Sequence, residues 1–379
     1  MKLLVVSHAC STAVNQQFYA DVQALTGWDI SILTPSNWIN EYGKPIFTRW
    51  ESFKGEIIGK PVWKSGDIIL HAYRASMKRL LRQVNPDVIY MNHEPYAVAT
   101  AQVFWANKRS INKPIGFYSC QNIRKNYPPP FKWTQAMVFR QSRFAFPITQ
   151  AVDDVHRANG YTGPSTILPF GVDPALHKPV EDVEATRRAL GASDGQVLIG
   201  FIGRIVEEKG LATLLKGLAD LRDLNWRLAI VGAGPYDEAL KKLAGELSLA
   251  DRIHFHGFVP HPEAPRYLSA FDITVLPSET RKNWKEQFGR VIIESLACGT
   301  PVLGSNSGEI GSLVRKTGGG RVFEEGNSKS LASELGLLIS DADERQRLAD
   351  AGRAAVMSDF TNAALIARFA DTIRAASET

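Results

Sequence analysis

The sequence predicts an α/β protein whose strands form parallel sheets in two successive domains. Short apolar runs alternate with helical patterns along all 379 residues, which is typical of βαβ units. The Pro- and Gly-punctuated segment 166–179 ends the first series, and a second series of the same kind follows it. We therefore predict one domain over residues 1–173 and another over 174–359.

The predicted elements follow the apolar periodicity. In the first half we expect strands near 2–7, 29–34, 87–91, 114–119 and 144–148, with helices near 15–26, 71–84, 96–107 and 150–159. In the second half the apolar strand patterns lie within 196–204, 226–234, 252–259, 271–277 and 301–304. Apolar residues at helical spacing predict a last helix over 360–379.

Composition indicates a globular protein of a reducing compartment. Hydrophobic residues make up 44% of the chain and charged residues 22%. The three cysteines (Cys10, Cys120 and Cys298) form no C-x-x-C pair, which fits the cytoplasm better than a disulfide framework. The first apolar run is too short for a signal peptide, and no run approaches the roughly 18 apolar residues of a membrane span. We therefore expect a cytoplasmic protein.

The net charge of +5 conceals an asymmetry. Residues 1–173 hold 19 Lys and Arg against 11 Asp and Glu, whereas the remainder holds 25 against 28. A basic first domain predicts an anionic partner. This partner is either the inner face of a membrane or a soluble anionic acceptor. The helical pattern 73–84 places Arg74, Lys78 and Arg82 on one side, with Met77, Leu80 and Leu81 as apolar surface. Segment 123–135 interleaves Arg124, Lys125 and Lys132 with Tyr127, Phe131 and Trp133, which favours lipid headgroups. No nucleic-acid motif is present.

The stretch 277–314 carries the strongest site signal. It reads as a strand end, a polar loop with Glu286, an apolar helix with Glu294, a second strand and a Gly-containing turn. A helix that begins near Gly289 offers unpaired N–H groups to an anion such as a diphosphate. Two carboxylates flanking that helix end suit the hydroxyls on either side of a diphosphate, those of a sugar and of a ribose.

This stretch, with its embedded FG, ACGTPV and SGE elements, resembles the E-x7-E signature of retaining family-4 glycosyltransferases. The resemblance implies the GT-B fold, in which two Rossmann-like domains face a central cleft. It also implies that the last helix packs on the first domain. By resemblance, Glu286 contacts the donor sugar and Glu294 the nucleotide ribose, while Phe288, Gly289 and Arg290 line the phosphate approach through backbone groups. Where relatives often carry a second glycine, this chain has Glu309, which we expect to affect donor choice.

A second element, FIGRIVEEKG (201–210), combines a close backbone approach at Gly203 with two cations. It resembles the family's G-R-x-x-x-x-K-G element, so Arg204 and Lys209 are expected to bind the diphosphate and stabilise its departure. The turn IVGAGPYDEA lacks the third glycine of a dinucleotide fingerprint. By resemblance, the residues expected near the nucleotide and its base are Gly232, Gly234, Gly257 and Phe258, although core packing explains Phe258 nearly as well.

Acceptor-side candidates come from strand ends and loops of the first domain, where open parallel sheets bind ligands. They are His8, Asn15, His93, Glu94, Gln121 and Asn122. The family often has a histidine where this chain has Gln121, which can hydrogen-bond a hydroxyl but cannot act as a base.

No metal or cofactor is expected. The pair Asp341 and Asp343 opens a helix, and a capping role is favoured over metal binding. The sequence shows no His/Cys cluster with metal-ligand spacing. The resemblance implies metal-independent transfer, with a nucleotide-diphosphate sugar as co-substrate.

The predicted function is transfer of a sugar, with retention, to a hydroxyl acceptor in polysaccharide or glycolipid biosynthesis. The acceptor is a glycan, a lipid-linked molecule or a small molecule. Two alternatives belong to other classes. A sugar-nucleotide epimerase or hydrolase would consume donor without an acceptor, and a catalytically silent relative would bind nucleotide sugar as a regulator.

Overall fold

The computed structural model describes residues 1–39 and 45–378, and the chain divides into two compact units. Unit 1 comprises Met1–Pro169 with Ala363–Thr379, and unit 2 comprises Phe170–Asn362. Thr379, at the end of the predicted last helix, lies outside the described residues.

Unit 1 is built around a parallel sheet. Its strands are β1 Lys2–Val6, β2 Asp29–Pro35, β3 Trp38–Ile39, β4 Pro45–Ile46, β5 Glu56–Lys60, β6 Val62–Trp63, β7 Ala72–Tyr73, β8 Val88–Met91, β9 Ile115–Ser119 and β10 Phe144–Pro147. Its first helices are α1 Gln17–Thr26, α2 Met77–Val84, α3 Val98–Lys108, α4 Phe131–Gln141 and α5 Gln150–Ala158. Six of the strands pair in the order β10-β9-β8-β1-β2-β5, and two antiparallel pairs, β3 with β4 and β6 with β7, form separate two-stranded sheets.

Unit 2 repeats this strand order with its own elements. Its strands are β11 Val197–Ile202, β12 Trp226–Val231, β13 Ile253–Gly257, β14 Ile273–Leu276, β15 Val302–Ser305 and β16 Gly320–Phe323. Its helices are α6 Glu184–Ala189, α7 Leu211–Ala219, α8 Asp237–Glu246, α9 Ala264–Ala270, α10 Arg290–Ala297, α11 Ile310–Thr317, α12 Ser328–Ser340 and α13 Ala342–Asp359. The sheet order is β13-β12-β11-β14-β15-β16, with every pair parallel.

Both sheets have the doubly wound Rossmann order, in which the chain reverses its direction of travel beside the first strand. The reversal falls between β1 and β8 in unit 1 and between β11 and β14 in unit 2. Loops that leave these two strands diverge, so each unit has a crevice at the carboxyl end of its sheet. The predicted α/β class with two Rossmann-like domains is therefore confirmed within each unit.

The last helix, α14 (Asn362–Ser377), packs in unit 1. Leu365, Phe369 and Ile373 recur at helical spacing and are fully or almost fully buried. Phe369 stacks on Phe146, with ring centroids 5.2 Å apart, and meets Tyr90 edge-on. A helix distant in sequence thus completes the core of the first sheet. No helix in the described part of the chain is long and apolar enough to cross a membrane.

The predicted helix 71–84 is wrong at its start. Residues 72–73 form β7, and α2 begins at Met77 after the cap residue Ser76, so Arg74 is not on the helix. Met77, Leu80 and Leu81 were expected to supply apolar surface, but they are 3%, 6% and 0% exposed. The helix is amphipathic, and its apolar face packs into the core of unit 1 rather than toward solvent. The sequence also gave no indication of β5 or α4.

Candidate functional site

The crevice of unit 2 lies where β11 and β14 end side by side. Gly203 and Arg204 follow β11, and the loop that carries Glu286 follows β14. In an open parallel sheet this is where a ligand has access to the diverging loops. The two strongest sequence signals therefore meet at one edge of one sheet.

Lys209 and Glu286 form an ion pair in this crevice. The Lys209 Nζ atom lies 2.6 Å from Oε2 of Glu286, and the two side chains are 17% and 12% exposed. Ser278 Oγ donates a second hydrogen bond of 3.0 Å to the same oxygen. The Trp284 ring lies 5.3 Å from the ammonium group. The fold thus brings Lys209, which is predicted to bind the diphosphate, into contact with Glu286, which is predicted to bind the sugar. Both charged groups have fixed positions.

The turn after β15 packs against the backbone of Glu286. Gly308 has φ +57°, and a Cβ at this position would lie 2.0 Å from the carbonyl oxygen of Glu286. The Glu309 N–H donates to that oxygen at 3.3 Å. Only glycine therefore permits this approach, so the small residue in the predicted SGE turn has a direct structural reason.

Helix α10 begins beside the pair. Gly289 is its N-terminal cap residue, with φ +79°, and no side chain caps the helix there. The first N–H groups of such a helix have no intrahelical acceptor and carry the positive end of its dipole. The Phe288 side chain is buried and meets Phe170 edge-on at 5.7 Å. A role of its backbone in lining the phosphate approach stays a prediction.

Glu294 lies one turn into α10 and is 6% exposed. Its Oε1 forms an ion pair with Arg290 Nε at 2.7 Å and accepts a hydrogen bond from His261 Nε2 at 2.9 Å, and His177 Nε2 lies 3.9 Å away. Burial opposes ionisation, but the His261 hydrogen bond and the Arg290 charge outweigh it and lower the pKa of Glu294. Neither histidine was a candidate from the sequence, because no motif links positions this far apart. The Arg290 side chain binds Glu294, whereas a backbone role was predicted for it.

The predicted nucleotide-side glycines bring neighbouring loops into contact. A Cβ on Gly232 would lie 1.9 Å from Gly203 O, and one on Gly234 would lie 2.1 Å from Ile205 O. The Gly232 N–H also donates to Gly257 O at 2.8 Å. Backbone packing therefore suffices to explain Gly232 and Gly234, and their nucleotide role stays a prediction.

Two predicted residues of unit 2 are exposed. Arg204 lies at the end of β11 with its side chain exposed. Phe258 is 69% exposed, so the alternative explanation by core packing is wrong. Both side chains are open to a ligand, and their predicted roles remain predictions.

In unit 1 the acceptor-side candidates gather at the ends of β1, β8 and β9, which are neighbours in the sheet. The His8 N–H donates to His93 Nε2 at 3.2 Å. Glu94 accepts hydrogen bonds from Ser119 Oγ at 2.6 Å and from the Cys120 N–H at 2.8 Å. Burial nevertheless raises the pKa of Glu94 to about 6. This carboxyl group thus titrates closer to neutrality than an exposed one.

The other acceptor-side candidates include two amides whose side chains form hydrogen bonds within their own loops. Asn15 Nδ2 donates to Ala9 O at 2.8 Å, within the loop after β1. Gln121 accepts from the Ile123 N–H at 3.1 Å and donates weakly to Tyr96 Oη at 3.5 Å. Asn122 follows in the same loop and is half-buried. An acceptor role for these amides stays a prediction.

Three histidines near the end of β1, two of them buried and His8 partly exposed, were not predicted as a group. His71 joins His8 and His93, and its Nδ1 lies 2.8 Å from Asp67 O. Burial lowers the pKa of His8 to about 3 and holds that of His93 well below its usual value. Burial also lowers the pKa of His71, so all three rings are uncharged at neutral pH. The sequence indicated no metal-ligand spacing, because the three positions lie on separate segments of the chain.

The predicted D-x-D role is confirmed. Asp341 Oδ1 accepts from the Glu344 N–H at 2.9 Å, so Asp341 caps α13. Asp343 lies in the first turn of that helix, where a negative side chain is favoured by the helix dipole.

Comparison with known proteins gives this site a class. Residues 182–355 match the family described as Glycosyl transferases group 1. The matched range contains the whole doubly wound sheet of unit 2, from β11 to β16. Most of unit 2 thus matches the group 1 glycosyltransferases, which confirms the family-4 resemblance predicted from the sequence.

Relatives with assigned activities match about half of this chain. A D-inositol 3-phosphate glycosyltransferase of Stackebrandtia nassauensis is 34% identical over 48% of this chain and 43% of its own length. A GDP-mannose-dependent alpha-(1-6)-phosphatidylinositol monomannoside mannosyltransferase of Mycobacterium tuberculosis is 31% identical over 55% of both chains. A 2-deoxystreptamine N-acetyl-D-glucosaminyltransferase of Streptomyces fradiae is 30% identical over 56% of this chain and 48% of its own length. The chain therefore matches about half the length of these relatives.

Solved structures match the fold over almost the whole chain. Sucrose-phosphate synthase from Thermosynechococcus elongatus has a TM-score of 0.76 at 19% identity, covering 99% of this chain and 98% of its own. Anabaena Alr3699/HepE in complex with UDP has a TM-score of 0.77 at 18% identity, covering 99% of this chain and 100% of its own. At these identities the likeness establishes the fold alone, which is the GT-B class.

Proposed function

We propose that unit 2 binds a nucleotide-diphosphate sugar and that the chain transfers the sugar to a hydroxyl acceptor. The observation that carries this proposal is the Lys209–Glu286 pair at the carboxyl ends of β11 and β14. Lys209 is a compact charge suited to a phosphate, and a carboxylate accepts hydrogen bonds from sugar hydroxyls. With the two groups in contact, a ligand that combines diphosphate and sugar satisfies both.

The rest of the crevice supplies the remaining contacts. On this proposal, Arg204 and the N–H groups at the start of α10 bind the diphosphate, and Glu294 binds the ribose. Positive charge placed where the leaving diphosphate develops negative charge lowers the barrier to its departure. Lys209, Arg204 and the α10 dipole can thus do the work of a divalent cation, which favours metal-independent transfer.

We propose that the sugar keeps its anomeric configuration. The acceptor oxygen attacks the anomeric carbon from the face that the diphosphate is leaving, so the new bond forms on the side where the old one breaks. The acceptor hydroxyl proton passes to an oxygen of the departing β-phosphate. No enzyme-linked sugar is required, and Glu286 orients the sugar hydroxyls throughout.

The acceptor is proposed to be a polyhydroxylated molecule, and a glycolipid is favoured. The names of the relatives include an inositol phosphate and a phosphatidylinositol mannoside. In unit 1 a pocket of about 330 Å³ is lined by apolar and aromatic groups, among them Ile69, Leu70, Tyr96 and Phe131. Such a lining suits a lipid chain better than a sugar ring.

A donor screen tests this function. The protein is incubated with a panel of nucleotide sugars, and slow hydrolysis or transfer to glycolipid and inositol acceptors is followed by NMR. We expect one donor to be consumed faster with an acceptor, giving a product of the donor's anomeric configuration. Consumption that never depends on an acceptor would favour an epimerase or hydrolase, and binding without turnover would favour a silent regulator. An inverted product would refute the proposed stereochemistry.

A further inference from the structure

We propose that unit 1 binds a transition-metal dication, with Zn²⁺ the best match, through His8, His71 and His93. One candidate ligand nitrogen from each ring lies within 4.8 Å of the other two. The ring centroids are 4.8 to 5.7 Å apart. Imidazole nitrogen is a preferred ligand of Zn²⁺ and of neighbouring first-row metals. Nothing in the proposed sugar transfer uses this group as a metal site.

His71 is already arranged as a metal ligand. Its side chain is fully buried, and Nδ1 lies 2.8 Å from the carbonyl oxygen of Asp67. A carbonyl only accepts, so Nδ1 carries the proton and Nε2 carries a lone pair. Among the described residues, Nε2 has no hydrogen-bond partner although it is buried. A metal-ligating histidine commonly donates its other N–H to a backbone carbonyl in this way, and a metal would satisfy the orphaned nitrogen.

His8 and His93 face each other at a distance that suits a shared metal. Their Nδ1 atoms are 3.2 Å apart. Two nitrogens each about 2.0–2.1 Å from one tetrahedral Zn²⁺ are separated by about 3.3 Å. Without metal, His93 Nε2 accepts a hydrogen bond from the backbone N–H of His8, so the ring proton of His93 is on Nδ1. His93 Nδ1 therefore donates to His8 Nδ1. Ligation through Nδ1 requires that proton to move to Nε2, so both 3.2 Å hydrogen bonds are lost and bonds to the metal replace them. The His8 backbone N–H and the new Nε2–H would then both be donors, so the loop that carries His8 must shift to give each an acceptor.

The surroundings leave one coordination position open. Trp38 packs against His8 and His71, with ring centroids 4.9 and 5.1 Å away, and closes one side. His93 and His71 are buried, whereas His8 is partly exposed. Three nitrogen ligands with access at His8 leave the fourth position of a tetrahedral site to water or another small oxygen ligand.

A second trio, His177, His261 and Glu294, is a poorer metal site. Arg290 Nε lies 2.7 Å from the only carboxylate of that trio. A dication placed there would lie beside the guanidinium and compete with it for the same oxygen. This trio therefore serves as the internal control.

The test uses the full chain without a polyhistidine tag, stripped of metal by chelator and dialysed. Calorimetry with Zn²⁺ and the visible spectrum with Co²⁺, which reports tetrahedral coordination, are recorded for wild type and variants. We expect one equivalent to bind, with H8Q and H71F each weakening it by at least about 100-fold, since losing even an outer-shell partner costs up to about that much. H261Q, in the control trio, should bind as wild type does.

Circular dichroism checks that each variant is folded. H8Q alters a partly exposed side chain, so it keeps the test decisive if H71F does not fold. Absence of Zn²⁺ binding at micromolar concentrations would overturn the proposal. Binding that survives H8Q, or that is lost in H261Q, would overturn it as well, because the metal would then lie elsewhere.

Discussion

At the scale of single residues, Lys209 is the group whose charge the proposed reaction needs most. We expect K209A to lower turnover by about 10²- to 10⁴-fold, because losing one contact that stabilises transition-state charge costs at least about 10²-fold. Ser278 still donates to Glu286 in this variant, so the carboxylate keeps a partner. Steady-state kinetics with the active donor measure the effect.

K216A is the matched control for this experiment. Lys216 lies on α7 in the same unit, its side chain is exposed, and it should keep wild-type turnover. Thermal unfolding must confirm that both variants are folded at the assay temperature. If K209A retains the wild-type kcat, the phosphate role of Lys209 is wrong.

The two glutamates should fail in different ways. E294Q should weaken binding of the nucleoside diphosphate, because the ribose is present in product as well as donor. E286Q should spare the nucleoside diphosphate and weaken only the intact donor. A hydrogen bond to a charged group contributes about 1.5–3 kcal/mol, so each loss should be roughly tenfold to a hundredfold. Calorimetric titration of both variants with both ligands separates the roles, and identical losses would refute them.

His156 predicts how stability depends on pH. It packs among Phe117, Phe139 and Tyr161, and neither ring nitrogen has a hydrogen-bond partner within the described parts of the chain. Burial lowers its pKa to about 4, whereas an unfolded chain has a histidine pKa of about 6.5. As pH falls, the unfolded chain takes up the proton first. The stabilisation is complete above pH 6.5 or so and is lost on acidification toward the folded-state pKa.

H156F removes this proton and should become relatively more stable in acid. The linkage relation gives about 2 kcal/mol of change in the stability difference between variant and wild type from pH 7.5 to pH 5. Urea unfolding of both proteins at the two pH values measures it, and the other histidines cancel in the comparison. If the difference in unfolding free energy between variant and wild type does not change with pH, then His156 has the same pKa in the folded and unfolded chains.

At the scale of elements, the turn between β15 and α11 sets the position of Glu286. In G308A the new Cβ would lie 2.0 Å from the Glu286 carbonyl, so the Glu286 backbone must move. We expect donor turnover to fall at least tenfold, since displacements of about 1 Å cost up to about a hundredfold. Nucleoside diphosphate affinity should be preserved, because the proposed ribose contact, Glu294, lies on a different element, helix α10.

G195A controls for the backbone conformation itself. Gly195 has φ +76°, and a Cβ there meets no atom within 4 Å. Alanine at either position incurs the same left-handed penalty of about 1–2 kcal/mol, but only G308A displaces Glu286. Equal kinetic losses in the two variants would mean that the effect comes from stability alone.

The elements also show why helix boundaries are hard to obtain from the sequence. Segment 71–84 has apolar residues at helical spacing throughout, yet its first residues pair with Val62 and Trp63 as β7. Ser76 then caps α2. Strand pairing with a distant segment decided the first boundary, and periodicity within the window contains no information about it.

At the scale of the whole molecule, the basic and aromatic surface of unit 1 predicts docking on anionic lipid. Trp63, Trp105 and Trp133 are 59%, 47% and 68% exposed. Arg74 lies over Trp63, and Lys78 lies over Trp105. Exposed indoles beside cations suit the headgroup region, and each Lys or Arg near an anionic leaflet contributes about 1 kcal/mol.

Liposome flotation tests this docking. We expect binding to phosphatidylglycerol vesicles that fades at high salt, with little binding to phosphatidylcholine. W63S and W133S should each weaken it several-fold. L337S, which removes an exposed apolar side chain of unit 2, should not. Protein that stays in the soluble fraction with every vesicle and at every salt concentration would refute membrane docking and favour a soluble anionic acceptor.

From the sequence we could predict the α/β class, most strands of both sheets, the cap at Asp341 and the segments that form the candidate site. These features are encoded within short windows, as apolar periodicity or as a glycine where a side chain would clash. Three contacts could be seen only in the tertiary structure. Lys209 contacts Glu286, 77 residues away, and His261 hydrogen-bonds to Glu294. His71 lies beside His8 and His93. The tertiary structure also buries Leu80 and Leu81. Such contacts depend on the order of strands in the sheet, which brings distant loops to one edge and which no local pattern specifies.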